Sequence, residues 1–361
     1  MKSLPLLFVV LAWPSLVRAV DEPPVNAPAA IAPSFQIEDD AFSKILGLKP
    51  SILLLANGFG FTEGPVYFSL KPGSEEGYLF FSDIKLNNVN MIKWNGVGPF
   101  NKISNLSWEA PTAFRSPSAF ACGQTADLSG HLLTGEGGGR RVSMTAKDGS
   151  LKTVVGAYKG TPLNSPNDLV VKSDGTIWFT DPLLGSLLYP QEANLPCNVY
   201  RFDPKSNELT VVVSDLVIPN GIAFSPDEKL LYVIDSGTLM NGPGTLNAKG
   251  PHDIHVYDVA ANGKSVGSGR VFAVVTPGFP DGMRLDADGN LYVGAFDGVQ
   301  VFNPDGKLIG KILLMKQTAN LCFGGKDNNI LFICSSNSVW AIRLNTKGAK
   351  PVPVLNSGGD Q

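Results

Sequence analysis

Short apolar segments that follow a polar turn recur along most of the chain. Each segment is apolar or alternates between apolar and polar residues, and each ends in a small or acidic residue. This pattern is typical of β-strands bounded by turns, and long helical periodicity is absent. Six copies occur at a spacing of roughly 40 to 60 residues: YLFFSD ending at Asp83, HLLTGE at Glu136, TIWFTD at Asp181, LLYVID at Asp235, NLYVGA at Ala295 and ILFICS at Ser335.

The repeat predicts an all-β fold, a six-bladed β-propeller, because a small sheet cannot cover both of its faces alone and must stack against its neighbours. A β-sandwich is the competing fold, and the regular period argues against it. We expect one propeller domain over residues 51–361. Residues 20–50, rich in Pro, Ala and acidic side chains, are expected to form an extended lead-in with a short helix near Asp40 to Leu46.

The first 19 residues have the features of a secretory signal peptide. Lys2 supplies the positive charge, Leu4 to Trp13 the apolar run, and Val17-Arg18-Ala19 a cleavage site of small residues. A membrane anchor is the alternative, but the apolar run is about half as long as a bilayer span. We therefore expect residues 1–19 to be removed, and a secreted mature chain that does not stay in the membrane.

The net charge and the cysteines indicate which kinds of partner the protein can bind and whether disulfides can form. The net charge is −3 and no basic block occurs, which argues against a nucleic-acid partner. An oxidising compartment permits disulfides among Cys122, Cys197, Cys322 and Cys334, and Cys322 with Cys334 is the favoured pair because both are expected on neighbouring strands. The sequence does not determine the pairing or the oligomeric state. Asn105 begins a glycosylation sequon.

One position upstream of each repeated strand carries a chemically distinctive residue. The residues there are Glu63, Cys122, Asn167, Asn220, Asp281 and Asn320. The innermost strand of each propeller blade lines the central channel, so equivalent positions at the starts of these strands converge at one end of that channel. We therefore expect the six residues to meet near the propeller axis.

Two carboxylates and two amides in this set predict a central metal site. Glu63 and Asp281 would repel each other without a cation between them, and Asn167 and Asn220 add neutral oxygens. Oxygen-only ligands favour Ca²⁺, with Mg²⁺ or Mn²⁺ next, and the ligand charge of −2 matches a divalent ion. The alternatives are that Asn-Gly and Asp-Gly are simply turn formers, or that the ion is purely structural.

These motifs resemble the SMP-30/gluconolactonase/luciferin-regenerating-enzyme family. Within that family they are most similar to the secreted fungal lactonohydrolases. The matching stretches run in family order from about residue 57 to 345, and they include TEGPVYF, SPNDLVVKSDGTIWFTDP, PNGIAFSPDEKLLYVIDS and PDGMRLDADGNLYVGAF. The resemblance implies a six-bladed propeller with a divalent metal, commonly calcium and sometimes zinc or manganese. It implies Glu63, Asn220 and Asp281 as ligands, Asn167 as a residue that contacts metal or substrate, and Asp281 as the general base.

The resemblance further implies a secreted, metal-dependent hydrolase that opens lactones of sugar acids or related small lactones. Arg140 or Arg141 could bind the carboxylate of the product, although paired arginines on a strand point to opposite faces. The sequence departs from many relatives at Gly137, where a histidine is common, and at Cys122, where an asparagine is common. Both changes are expected on the substrate side of the site, so they bear on which substrate is bound more than on metal binding. A metal-dependent ester or phosphotriester hydrolase and a non-catalytic secreted binding protein are the alternatives.

Overall fold

The computed structural model describes residues 30–31, 34–97, 106–146, 149–184, 194–241, 247 and 249–355. Within these residues, six antiparallel sheets of four or five strands follow one another along the chain. The innermost strand of each sheet contacts the innermost strand of the next, and the sixth contacts the first. The sheets are therefore the six blades of a propeller, and the fold predicted from the repeat is confirmed.

The blades are numbered in chain order and their strands run from the channel outwards. Blade 1 contains β4 (Thr62–Ser69), β5 (Glu76–Asp83), β6 (Asn88–Val97) and β7 (Leu106–Trp108), with β8 (Thr112–Arg115) also paired to β6. Blade 2 contains β9 (Ala121–Ala126), β10 (Leu132–Glu136), β11 (Arg141–Thr145) and β12 (Leu151–Val155). Blade 3 contains β15 (Leu169–Val171), β16 (Ile177–Asp181), β17 (Asn198–Asp203) and β18 (Glu208–Val213), and the hairpin of β13 (Ala157–Tyr158) and β14 (Thr161–Pro162) precedes it.

Blades 5 and 6 each recruit strands from the N-terminal part of the chain. Blade 4 contains β19 (Pro219–Phe224), β20 (Leu230–Asp235), β21 (Asp253–Asp258) and β22 (Arg270–Val274), with a 3-10 helix at Gly237–Asn241. Blade 5 contains β23 (Met283–Leu285), β24 (Leu291–Ala295), β25 (Gly298–Phe302), β26 (Leu308–Leu313) and β2 (Phe35–Ile37). Blade 6 contains β27 (Thr318–Gly324), β28 (Ile330–Ser335), β29 (Ser338–Arg343), β3 (Ile52–Asn57) and β1 (Ala30–Ile31).

The six strands recognised in the sequence are the second strands of the six blades. Each of them ends at the residue expected from the repeat, from Asp83 in β5 to Ser335 in β28. The inner strands, which carry the distinctive position, precede them. The repeat therefore locates one end of the channel from the sequence alone.

The helix α1 (Asp40–Leu46) lies where the sequence predicts it. Asp39 caps its first turn by accepting a hydrogen bond from the Ala41 amide, and Gly47, at φ 77°, ends it. Phe42 is fully buried in the hydrophobic core shared by blades 5 and 6. The described part of the lead-in is therefore packed on the propeller. No helix among the described residues is long and apolar enough to cross a membrane.

Aromatic side chains fill the space between neighbouring blades. Trp178 of blade 3 meets Phe224 of blade 4 edge to face, with 5.2 Å between ring centroids. Trp94 of blade 1 meets Phe332 of blade 6 in the same geometry, at 5.3 Å. These four side chains are buried, and burial of such a side chain contributes about 1.5 to 3 kcal/mol. The blades are thus held in a fixed ring around the channel.

The disulfide expected between Cys322 and Cys334 is wrong, because all four cysteines are free thiols. The two residues do lie on neighbouring strands, β27 and β28, as predicted. However, Cys322 stands opposite Phe332, and Cys334 stands opposite Asn320. The two cysteines are therefore diagonal neighbours, about 7 to 8 Å apart in a regular sheet, whereas bridged cysteines have Cα atoms about 4.4 to 6.8 Å apart.

A C-terminal segment, residues 345–355, crosses the end of the propeller opposite to the distinctive positions. It pairs by backbone hydrogen bonds with the ends of two inner strands, β23 and β4, the latter at Ser69. Lys350 of this segment forms an ion pair with Glu228, in the turn between β19 and β20. The segment therefore joins blades 4, 5 and 1 at this end of the channel.

Two sequence predictions fall outside the described residues. They are the signal peptide at residues 1–19 and the glycosylation sequon at Asn105. Both stay predictions.

Candidate functional site

The structure brings the distinctive positions together at one end of the channel. Glu63, Cys122, Asn220 and Asn320 lie in the inner strands β4, β9, β19 and β27, and Asn167 and Asp281 lie two residues before the first residues of β15 and β23. Side-chain hydrogen bonds connect several of them across blade boundaries. The convergence predicted from the repeat is therefore present.

A chain of amide hydrogen bonds links blades 3, 4 and 5. Asn167 Nδ2 donates to Asn220 Oδ1 at 2.5 Å, and Asn220 Nδ2 donates to Asp281 Oδ1 at 2.9 Å. Asn220 Nδ2 also lies 3.1 Å from Ser236 Oγ, to which it donates. Asn167 and Asn220 are buried, and Asp281 keeps partial exposure. The chain thus engages Oδ1 of the Asp281 carboxylate and leaves its Oδ2 outside this series of hydrogen bonds.

Glu63 faces this chain with one oxygen that has no hydrogen-bond partner among the described residues. Its Oε1 accepts a hydrogen bond from Asn320 Nδ2 at 2.8 Å, whereas its Oε2 is buried and unpaired. Burial raises the pKa of Glu63 well above its ordinary value, and the negative charges of Asp281 and Asp168 raise it further. A buried carboxylate oxygen without a donor is costly, so this arrangement calls for a positive partner.

Asp281 is held in a similar electrostatic environment. Burial raises its pKa from 3.8 to about 7, and the charge of Asp168 adds to the rise, while the hydrogen bond from Asn220 opposes it. A carboxylate with this pKa exchanges protons near neutral pH. Two carboxylates that each disfavour the other's charge thus lie at one end of the channel.

Glycines at the next position let the inner strands approach this closely. Gly221 donates its backbone N–H to Asp281 O at 2.9 Å. A Cβ at Gly221 would lie 2.6 Å from that same oxygen, and a Cβ at Gly282 would lie 2.2 Å from Asn320 Cγ. The glycines of the PNG and PDG motifs are therefore required for close packing between blades, and they bring the polar side chains within bonding distance.

The oxygen donors fit a hard divalent cation. They are two carboxylates and two amides, and one carboxylate oxygen is buried without a partner. Within the described residues, no group of three or more His, Cys, Asp or Glu side chains forms a metal cluster. The central metal site predicted from the sequence therefore stays a prediction, as does its mixed set of carboxylate and amide ligands.

Arg140 and Arg141 are bound to partners in and beside blade 2. Arg140 Nε donates to Leu163 O at 2.6 Å. Arg141 Nε donates to Glu136 Oε2 at 2.6 Å, and the other Glu136 oxygen accepts from Arg115 at 2.7 Å. No hydrogen bond of either arginine to the convergent positions occurs among the described residues. Their expected role in substrate binding stays a prediction.

Sequence reasoning missed two contributors to the site, Arg284 and Gln317, and it assigns no role to Asn320, which binds Glu63. Arg284, in β23, forms an ion pair with Asp168, 3.1 Å between Nη1 and Oδ2, across 116 residues of sequence. Gln317 Nε2 lies 3.5 Å from Asp281 Oδ2, at the limit of a hydrogen bond. In the sequence, only their positions indicate that Asp168 and Arg284 belong to the site. Asp168 directly follows Asn167, and Arg284 lies shortly after the PDG motif.

Cys122 occupies the same register in blade 2. Burial raises the pKa of its thiol, and the charges of Glu63 and Asp281 raise it further. The thiol is therefore kept neutral, and it differs from the amides that stand at this position in blades 3, 4 and 6.

Comparison with known proteins gives a consistent assignment. The model of the SMP-30/Gluconolactonase/LRE-like region matches residues 61–337. A gluconolactonase of Zymomonas mobilis subsp. mobilis is 32% identical over 323 residues, which cover 84% of each chain. The lactonohydrolase oryL of Aspergillus oryzae is 29% identical over 218 residues, covering 56% of this chain and 49% of its own. The solved structure of a gluconolactonase from Xanthomonas campestris superposes with a TM-score of 0.73 at 31% identity, covering 90% of this chain and 98% of the other.

Proposed function

Because the chain belongs to the SMP-30/gluconolactonase/LRE-like family, we propose that it is a metal-dependent hydrolase that opens lactones of sugar acids or related small lactones. Relatives that span most of this chain are gluconolactonases, which supports a lactone-hydrolysing function. The observation that carries the metal dependence is the buried, unpartnered Oε2 of Glu63, close enough to Asp281 for the two charges to interact.

The residues that would hold the ion are Glu63, Asn167, Asn220 and Asp281. Their oxygens favour Ca²⁺, and Mg²⁺, Mn²⁺ and Zn²⁺ are the alternatives. When bound, such an ion polarises a carbonyl group and makes water more acidic. The carboxylate charge of −2 would be matched by the ion, which would remove the repulsion between Glu63 and Asp281.

Asp281 is the residue that we assign as the general base. Its Oδ1 is held by Asn220, whereas its Oδ2 has, among the described residues, only the long contact with Gln317 and can accept a proton from water. Asn167 positions Asn220, and through it the carboxylate, by its 2.5 Å hydrogen bond.

The remaining roles concern the substrate and the location of the protein. Arg140 and Arg141 use their Nε atoms to bind Leu163 O and Glu136, and neither arginine is hydrogen-bonded to a proposed ligand among the described residues. We therefore assign Arg140 and Arg141 a secondary role in binding the product carboxylate. The apolar N-terminal run with its small-residue cleavage site supports secretion of the mature chain.

A pH-stat assay of the purified mature chain tests the proposed function. Gluconolactone and other small lactones would be offered with and without chelator, and Ca²⁺, Zn²⁺, Mn²⁺ or Mg²⁺ would then be added back. We expect acid release that is lost with chelator and restored by one ion. Asp281→Asn should lower kcat by at least about 100-fold, the contribution of a general base. Asp305→Asn, in an exposed turn, is the matched control and should leave the rate unchanged.

Two results would contradict the proposal. Full activity of Asp281→Asn would exclude this residue as the base. Absence of acid release from every lactone, with the metal bound, would favour the ester or phosphotriester hydrolase, and failure with those substrates too would favour a binding protein.

A further inference from the structure

An ion pair joins blades 3 and 5 further along the chain than the proposed ligands Asn167 and Asp281 of the same blades. Arg284, in β23, lies three residues after Asp281, which corresponds to about 10 Å of extended chain. Its guanidinium reaches Asp168 of blade 3 with two nitrogens, Nη1 to Oδ2 at 3.1 Å and Nη2 to Oδ1 at 3.5 Å. Nη1 also donates to Met283 O at 2.6 Å. The Asp168 side chain is 1% exposed and that of Arg284 is 21% exposed, so the carboxylate of the pair is buried.

The charges at this end of the channel balance only if Arg284 is counted. Glu63, Asp168 and Asp281 carry a total of −3 when ionised, and their charges act on one another. Arg284 is hydrogen-bonded to Asp168 and reduces the total to −2, which one divalent cation neutralises. A second divalent cation would leave an excess of positive charge in a buried site.

The space beyond Arg284 offers little to an ion. A cavity of about 100 Å³ lies there, with Arg284 in its lining. Most of its lining is apolar, including Val170, Phe224 and Phe323, and Lys350 is a second positive residue in it. The guanidinium thus lies between the ligand set and a mostly apolar cavity.

We propose that Arg284 is a positioning residue that takes the place of a second divalent cation, so that the channel holds one such ion and not two. The inference rests on the proposed function, since it assumes the metal site at Glu63, Asn167, Asn220 and Asp281. The contacts of Arg284 support it directly. Removing the guanidinium would free Asp168 Oδ2 and Met283 O, while Asp168 Oδ1 would keep the hydrogen bond from the Leu169 amide. Carboxylate and carbonyl oxygens are the ligands that Ca²⁺ prefers.

The test is to count the Ca²⁺ ions bound per chain by equilibrium dialysis and elemental analysis, in the full-length protein and in variants. We expect one ion in the wild type and one in Arg284→Lys, which keeps the charge. We expect two ions in Arg284→Met, since an uncompensated buried carboxylate attracts a cation. The double variant Asp168→Asn, Arg284→Met should return to one ion, because it removes the added ligand together with the guanidinium.

Other counts would overturn the proposal. One ion in a folded Arg284→Met protein would show that Arg284 does not limit the number. If Arg284→Met fails to fold, Arg284→Gln, which keeps a hydrogen-bond donor and removes the charge, takes its place, with two ions expected and one ion overturning the proposal. Two ions in the wild type and one in Asp168→Asn would mean that Asp168 is already a ligand, which would also overturn it. A wild type that binds no ion would contradict the proposed metal site itself, a result distinguishable from a count of two.

Discussion

Replacing Asp281 by Asn should change how the stability of the metal-free protein depends on pH. The pKa of Asp281 rises from 3.8 to about 7 on folding, chiefly because burial disfavours the charged form. Below about pH 4 the carboxyl is protonated in the folded and the unfolded chain alike. Between about pH 4 and pH 7 the unfolded chain releases the proton and the folded chain keeps it, so the free energy of unfolding falls as pH rises.

The magnitude follows from the two pKa values. A rise from 3.8 to about 7 corresponds to about 4 kcal/mol, lost over this range and constant at higher pH. The partial exposure of Asp281 makes this an upper bound. Asn at this position keeps an oxygen for the hydrogen bond from Asn220 and carries no charge. Metal-free Asp281→Asn should therefore be more stable than the metal-free wild type above about pH 7.

Urea unfolding of the dialysed proteins, followed by tryptophan fluorescence at about pH 4.5 and about pH 8, measures this difference. Between these two pH values, the free energy of unfolding should fall more for the wild type than for Asp281→Asn. Added Ca²⁺ should then stabilise the wild type at the higher pH and leave the variant largely unchanged. Equal pH dependence of the two metal-free proteins would refute the reasoning, because it would mean that the buried charge of Asp281 costs nothing.

Two substitutions test the packing that supports the site. Gly221→Ala should destabilise the protein by about 1 to 3 kcal/mol in urea unfolding and lower activity, since its Cβ would lie 2.6 Å from Asp281 O. Gly156→Ala, whose Cβ would meet its nearest neighbour at 3.6 Å, is the control and should change stability by less than about 0.5 kcal/mol. Glu136→Gln should cost about 3 kcal/mol by the same measurement, because Arg115 would keep a buried charge without its counter-ion. Wild-type stability in Gly221→Ala or Glu136→Gln would contradict these arguments.

The sequence predicts those features that repeat with the blades. The ends of the second strands and the convergence of Glu63, Asn167, Asn220 and Asp281 follow from register, because equivalent positions of a propeller have equivalent places around its axis. The helix α1 was predictable for a local reason, since Asp39 and Gly47 are capping residues at its two ends.

Features that depend on pairs between blades were not predictable in the same way. The ion pair of Arg284 with Asp168 joins residues far apart in sequence. The repeat gives the position of each residue within its own blade, but it does not say which residue of another blade lies next to it. The expected Cys322–Cys334 bridge failed because neighbouring strands were identified without their register. The repeat also did not predict where the C-terminal segment lies. Its contacts with blades 1, 4 and 5 occur once and have no counterpart in the other blades.

The pairing of β3 with β29 has a consequence for the order in which the protein assembles. Leu53 stands opposite Ala341, so nearly the whole propeller lies between two partners in one sheet. During synthesis, β3 leaves the ribosome early and its apolar residues have no strand to cover them until blade 6 has been made. Contacts of such large sequence separation form slowly. Blades 1 to 4 can acquire their strands in sequence, but the ring closes only at the end, and β3 is exposed to competing interactions until then.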